Sequence, residues 1–130
     1  MSFAWSEYLN LARSLVGQSS DRPTQEAAQR AAISRAYYAA FCEARNYLRD
    51  RENVQYIPLD GRAHFEVPDH FLQSRDAARR SVGNDLKRLR IDRNYADYYD
   101  QLPITTTIDR KVQEVLIRAA RVIQALDHLS

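Results

Sequence analysis

The chain has 130 residues, enough for a single domain with its own hydrophobic core. Three glycines and four prolines are too few for a fold made of many turns, and no apolar run approaches the ~20 residues of a membrane span. A net charge of +2 excludes a polycation, and a lone cysteine excludes an intrachain disulfide, so we expect a cytoplasmic protein.

Two helices are predicted in the first half of the chain. Apolar residues at three- and four-residue spacing predict the first over about residues 2–16, and a loop follows over residues 18–21. The second, over about residues 23–51, has no internal glycine or proline after Pro23. Cys42 lies in its apolar pattern, and we interpret it as a small buried filler. Its two predicted core stripes are Ile33, Tyr37, Ala40, Phe41, Ala44 and Leu48, and Ala28, Ala32, Ala36 and Ala39.

The middle of the chain is predicted as a loop over about residues 52–67, followed by a long helix over about residues 69–98. His64 and His70 have no cysteine or carboxylate cluster at ligand spacing, so the sequence indicates no metal site. The inward face of the long helix continues into Arg93, where a charge is costly unless it is paired or faces a cleft or interface. The remaining positions predicted on that face are Phe71, Leu72, Ala78, Val82, Leu86, Leu89 and Ala96.

The last predicted helix follows Pro103 and runs to the end of the chain as one apolar stripe. Thr106 and Asp109, three residues apart, resemble a capping arrangement at its start. Four long helices and one sizeable loop predict an all-α fold, a four- to five-helix up-and-down bundle that forms one domain over residues 1–130.

Basic residues are concentrated in the third predicted helix. Residues 75–93 contain seven basic and three acidic side chains. Such an excess attracts polyanions, but it is also compatible with a solvated helix face with internal ion pairs. Both interpretations are open.

A polar and aromatic cluster closes this helix. Arg93 can hold a phosphate with two parallel hydrogen bonds, and Asn94 and Asp97 can orient it. Tyr95, Tyr98 and Tyr99 offer rings on which bases stack. Alternatively, Arg93 and Asp97 simply pair four residues apart, and the tyrosines pack under the next loop.

On the second helix, Arg35 and Tyr38 share a face that continues to Cys42 and Arg45. Arg35 either points toward a cleft or partner or lies along the helix surface. The sequence contains no glycine-rich phosphate loop, nucleophile elbow, metalloprotease motif or Cys-x-x-Cys pair, and therefore no self-evident enzyme or cofactor site.

Two segments resemble a known family. Residues 34–41 read SRAYYAAF and are similar to a Ser-Arg-x-Tyr-Tyr-x-x-Phe pattern in the second helix of the HEPN superfamily (higher eukaryotes and prokaryotes nucleotide-binding). Residues 89–98 read LRIDRNYADY and are similar to its Leu-Arg-x-x-Arg-x-x-Ala-Asp-Tyr pattern closing the third helix. With the helix order, the resemblance to small prokaryotic stand-alone members covers nearly the whole chain.

The resemblance implies a helical bundle that forms a homodimer. It also implies a role as a metal-independent ribonuclease, as a toxin paired with a nucleotidyltransferase-type antitoxin, or as a defence component. The family's active motif is an arginine followed four to six residues later by a histidine. Arg93 matches the arginine and Asn94 the polar residue after it, but Tyr98, Tyr99 or Asp100 stands where the histidine belongs. None of these side chains titrates like imidazole near neutral pH.

We therefore expect a dimeric module that binds a nucleotide, RNA or an acidic group of a partner protein. The alternatives are a ribonuclease with a residue other than histidine beside Arg93, and a purely structural helical module. The expected catalytic residues are Arg93, Asn94, Tyr98 and Tyr99. The expected binding residues are Arg35, Tyr38, Arg90, Arg93 and Asp97.

Overall fold

The computed structural model describes residues 2–17, 22–103 and 105–129, which form five helices and no strand. The all-α prediction is confirmed. None of the described helices combines the length and apolar character needed to cross a bilayer. The helices are α1 (Glu7–Leu15), α2 (Arg22–Asp50), α3 (Ala63–Leu72), α4 (Ala77–Tyr98) and α5 (Ile108–His128).

Helix α2 is the centre of the bundle, because it packs against each of the other four helices. Both of its predicted apolar stripes face inward, and Ala32, Ala36 and Ala39 are completely buried. Small side chains at this spacing allow neighbouring helix backbones to approach closely. Cys42 is buried in the same packing, as predicted.

Helix α1 begins at Glu7, five residues later than predicted, and the predicted loop at residues 18–21 lies outside the described residues. The segment before it is held by side chains. The rings of Phe3 and Trp5 pack edge to face at 4.9 Å, and those of Trp5 and Tyr8 at 5.5 Å. The backbone N–H of Ser6 donates to Glu43 of α2 at 3.2 Å. These contacts fix the entry into α1.

The predicted boundary between the long loop and the third helix is wrong. Helix α3 begins at Ala63 and contains Pro68, and α4 starts separately at Ala77 behind an Asp76 N-cap. Proline has no N–H, so the carbonyl of His64 lacks its normal helical donor. Nη1 of Arg90 donates to that carbonyl at 2.7 Å instead. A proline that ordinarily ends a helix is tolerated here because α4 supplies the missing donor.

The N-cap of α5 is Thr107, which accepts from the N–H of Arg110 at 3.2 Å. The predicted cap at Thr106 is therefore wrong by one residue. Asp109, its expected partner, instead accepts a hydrogen bond from Gln29 of α2. That contact fixes the start of α5 to the central helix. The predicted apolar stripe of α5 is otherwise confirmed, with Val112, Val115, Leu116, Ala119, Val122 and Leu126 buried.

Helix α4 buries two carboxylates, Asp85 and Asp92, against basic side chains of α5. Asp85 accepts two hydrogen bonds from Arg121 of α5, at 2.7 and 2.9 Å. Asp92 lies 3.6 Å from Nζ of Lys111, also on α5. The apolar positions Val82, Leu86, Leu89 and Ala96 are buried as predicted, whereas Ala78, in the first turn, is exposed. The α4–α5 contact is thus an ionic interface beside an apolar one.

Gly83 lies at a close contact between α3 and α4. A Cβ at this position would lie 2.7 Å from Cγ of Leu72 and 2.9 Å from the backbone oxygen of Pro68. Alanine gains about 1 kcal/mol of helix propensity over glycine, but forced overlap in a packed contact costs about 1–3 kcal/mol. Because one of the two overlaps is with backbone, which cannot move aside easily, the cost lies in the upper part of that range, and we expect Gly83→Ala to lower the free energy of unfolding by about 1–2 kcal/mol in urea titrations. Asn84→Ala, on the exposed face, should change it by less than about 0.5 kcal/mol. Equal or greater stability of Gly83→Ala would contradict this packing.

Candidate functional site

Arg93 lies inside the bundle, at the contact between α4 and α2. The residue is 9% exposed, and its guanidinium carbon lies 5.1 Å from the ring centre of Tyr37 and 5.5 Å from that of Tyr38. Its Nε is buried without a hydrogen-bond acceptor. Nη1 is 3.9 Å from the Asp97 carboxylate, the outer limit of an ion pair. The predicted inward position of Arg93 is confirmed, and its pairing with Asp97 is weak.

A histidine from α3 joins the two tyrosines. Nδ1 of His64 and the Tyr37 hydroxyl are 2.5 Å apart, and the imidazole stacks on Phe41 with ring centres 4.5 Å apart. We call Tyr37, Tyr38, His64 and Arg93 the Arg93 site. Because Tyr37 occupies Nδ1, Nε2 is the imidazole nitrogen left for a ligand.

The surroundings of His64 and Tyr37 keep both of these side chains neutral. Burial, together with the positive charges of Arg93 and Arg90, lowers the pKa of His64 below its ordinary value of 6.5. Burial also raises the pKa of the Tyr37 hydroxyl, against the opposing effect of Arg93. At neutral pH the site therefore carries a net positive charge from arginine beside an uncharged imidazole.

Arg35 and Arg90 lie beside the site. The guanidinium of Arg35 is 5.0 Å from the ring centre of Tyr8 and 5.2 Å from that of Tyr38, the ring that Arg93 also contacts. Arg90 lies over Phe65 at 4.3 Å while it donates to the His64 carbonyl. The structure thus brings together the predicted binding residues Arg35, Tyr38, Arg90, Arg93 and Asp97.

The predicted residues near the end of α4 are arranged differently. Tyr98 is 74% exposed, and Tyr99 packs on Tyr95 with ring centres 4.8 Å apart. Within the described part of the chain, neither ring contacts Arg93. Asn94 is half-buried. Arg30 of α2 donates to the carbonyls of Ala96, Tyr99 and Asp100, at 3.1, 2.6 and 3.1 Å. The residues at the expected histidine position therefore form the capped end of a helix and not part of the Arg93 site.

Sequence reasoning did not place His64 or Tyr37 in the site. His64 lies in a segment predicted as loop, far along the chain from Arg93. One signal was available: Pro68, four residues after His64, leaves that carbonyl without a donor and open to Arg90. Among the described residues, no group of three histidine, cysteine or acidic side chains is placed to hold a metal ion.

The lowered pKa of His64 predicts a pH dependence of stability. Below about pH 6.5 the unfolded chain binds a proton more readily than the folded chain, so acidification favours unfolding. The stability contributed by neutral His64 is complete above pH 6.5 and is lost as the pH falls toward the pKa of the folded protein. We expect the melting temperature to fall more steeply for wild type than for His64→Gln as the pH is lowered from about 7.5 to about 5, the range in which histidine titrates. Parallel profiles would contradict the buried, neutral imidazole.

The chain was compared with protein-family models, with curated proteins and with solved structures. None of the three comparisons finds a match.

Proposed function

We propose that the chain is a HEPN-like module that binds a nucleotide or RNA, with Arg93 holding a phosphate group. The observation that carries this is the state of the Arg93 guanidinium: it is buried on two aromatic faces, its Nε has no acceptor, and the nearest carboxylate is 3.9 Å away. A buried cation with an unsatisfied donor is costly. A phosphate that contacts the small exposed part of this side chain supplies the missing negative charge.

The surroundings of Arg93 favour a nucleic acid over a simple anion. Arg35 and Arg90 add two positive charges, and Asp97 is the only carboxylate paired with Arg93 in the described residues. Tyr38 and Tyr8 present partly exposed rings beside these arginines. Alternating cations and aromatic rings match a polymer of alternating phosphates and bases.

The proposed setting is a cytoplasmic homodimer in a toxin–antitoxin or defence system, with a nucleotidyltransferase-type protein as a possible partner class. The motif resemblance supports this setting. Large apolar side chains at the surface near the site also support an interface, because Leu59 is 98% and Phe65 59% exposed. Light scattering at micromolar concentration tests it, and a monomeric mass would contradict the dimer.

A second candidate function, metal-independent cleavage of RNA, is favoured by His64. The imidazole is neutral near pH 7 and shares Tyr37 as a neighbour with Arg93. A neutral imidazole can take up a proton from a ribose hydroxyl while an arginine stabilises charge on the phosphate. His64, from α3, would then supply the group that the motif around Arg93 lacks.

RNA binding tests the first function. We expect Arg93→Gln to weaken binding of single-stranded RNA by about tenfold or more, because a charge-assisted contact contributes about 1.5–3 kcal/mol. The variant should also show a smaller salt dependence. Arg75→Gln removes the same charge from an exposed position and is the matched control. If both variants lose RNA affinity equally, the loss reflects only the removal of one positive charge, which would contradict a specific role for Arg93. Circular dichroism melts establish that both variants fold.

RNA cleavage in excess chelator tests the second function. Wild type should cleave, and His64→Gln should be slower by about 100-fold or more, the usual contribution of an acid–base group. His70→Gln, an exposed histidine on the same helix, should cleave like wild type. Cleavage that survives in His64→Gln would contradict the role of His64. Intact RNA with wild type would rule out the ribonuclease and leave the binding function.

A further inference from the structure

A cavity of about 380 Å³ lies between α1, α2 and the segment that leads into α3. Its walls include Trp5 and Tyr8, Arg35 and Tyr38, and Arg45 and His64. We call it the Trp5 pocket. Its volume lies at the lower end of the range of small-molecule sites, about 300–1,000 Å³. The pocket adjoins the Arg93 site, because Tyr38 and His64 belong to both.

Two arginines line this pocket without a carboxylate partner. Arg35 donates only to the Ser34 hydroxyl, at 3.5 Å, and Arg45 donates to the amide oxygen of Asn46, at 3.1 Å. Within the described ranges, neither forms an ion pair. The one carboxylate in the wall, Asp60, is paired with Arg62 at 3.0 Å. The pocket therefore presents two uncompensated positive charges, which attract an anion.

The same arginines are held in position by aromatic rings. Arg45 lies over Trp5 at 5.5 Å, and Arg35 lies between Tyr8 and Tyr38. Stacking of this kind orients a guanidinium while it leaves its N–H groups available to an acceptor. The rings of Trp5 and Tyr8 meet edge to face at 79°, so this contact covers one face of only one of the two rings. A planar ligand can stack on them.

The thiol in the pocket wall adds no reactive group. Cys42 lines the cavity, but burial raises the pKa of its thiol and keeps it protonated at neutral pH. The thiolate is the nucleophilic form, so covalent capture of a ligand is disfavoured. The chemistry of the pocket is reversible binding of something planar and anionic.

From these observations we propose that the Trp5 pocket binds one nucleotide unit, with its base against Trp5 and Tyr8 and its phosphate between Arg35 and Arg45. The proposal rests on the nucleotide- or RNA-binding function above and adds a specific place for a base. The unit is either a free nucleotide or a nucleotide within RNA, because both offer the same base and phosphate. The exposed side chain of Leu59 lies at the cavity wall and adds apolar contact to a bound base.

The only tryptophan of the chain is in this pocket, so its fluorescence reports occupancy directly. We would titrate the full chain with adenosine monophosphate, adenosine, ribose 5-phosphate and a short oligoadenylate. We expect saturable quenching by adenosine monophosphate, and binding weaker by about tenfold or more for the two fragments, each of which lacks one contact. Quenching by the oligoadenylate alone would assign the pocket to a nucleotide within RNA. Quenching by adenosine monophosphate as well as by the oligoadenylate would show that the pocket also accepts free nucleotides.

Arginine variants decide whether the assigned contacts are right. Arg35→Gln and Arg45→Gln should each weaken the ligand that quenches Trp5 by about tenfold. Arg49→Gln, exposed one turn along α2 from Arg45, should leave it unchanged. Melting curves confirm folding, and calorimetry measures binding where a variant alters the fluorescence itself. Absence of quenching by every ligand, or identical quenching in all three variants, would overturn the proposal.

The two proposals fail in different ways. If RNA binding depends on Arg93 but leaves Trp5 fluorescence unchanged, the proposed nucleotide site in the Trp5 pocket is wrong and the proposed function stands. Arg35-dependent quenching by adenosine monophosphate, with RNA affinity unchanged in Arg93→Gln, would support the pocket and contradict the role of Arg93.

Discussion

The contact of Arg93 with the faces of Tyr37 and Tyr38 is the interaction on which the rest of the site depends. It lies where α4 meets α2, and it places a cation in the interior without a close carboxylate. Apolar packing alone does not set this arrangement, because a leucine would fill the same position on the stripe of α4. Two adjacent aromatic residues on α2 make the charge tolerable there by cation–π attraction. The ring of Tyr38 also lines the Trp5 pocket, together with Arg35 and His64.

A proline in α3 is the second determinant of the site. By removing one helical donor, Pro68 leaves the His64 carbonyl free, and Arg90 of α4 binds it. This hydrogen bond connects α3 to α4 at the residue whose side chain meets Tyr37. Gly83 allows the two helices to approach closely enough, since any side chain there would meet the backbone at Pro68. The position of the imidazole thus follows from a missing N–H and a missing Cβ.

Much of the bundle was predictable because long helices carry their burial pattern in the sequence. The stripes of α2 and α5 are uninterrupted, and that of α4 correctly turned Arg93 inward. The break between α3 and α4 was not predictable, since Pro68 normally marks a helix end and its carbonyl partner lies on another helix. Three successive threonines before α5 offer equivalent caps, so the choice of Thr107 depends on tertiary contacts. Pairing of His64 with Tyr37 is likewise a tertiary contact, which no local spacing encodes.

Asp92 and Arg93 are neighbours in sequence, yet one faces Lys111 of α5 and the other faces the tyrosines of α2. Successive residues of a helix point about 100° apart, so a one-residue slip of α4 in one direction would bring Asp92 into the position of Arg93, and a slip in the other direction would bring Arg93 into the position of Asp92. The carboxylate would then meet the negative faces of two aromatic rings, and the guanidinium would meet an ammonium group. Both encounters are repulsive. This adjacent pair of opposite charges therefore reinforces the rotational register that the buried apolar residues of α4 already favour.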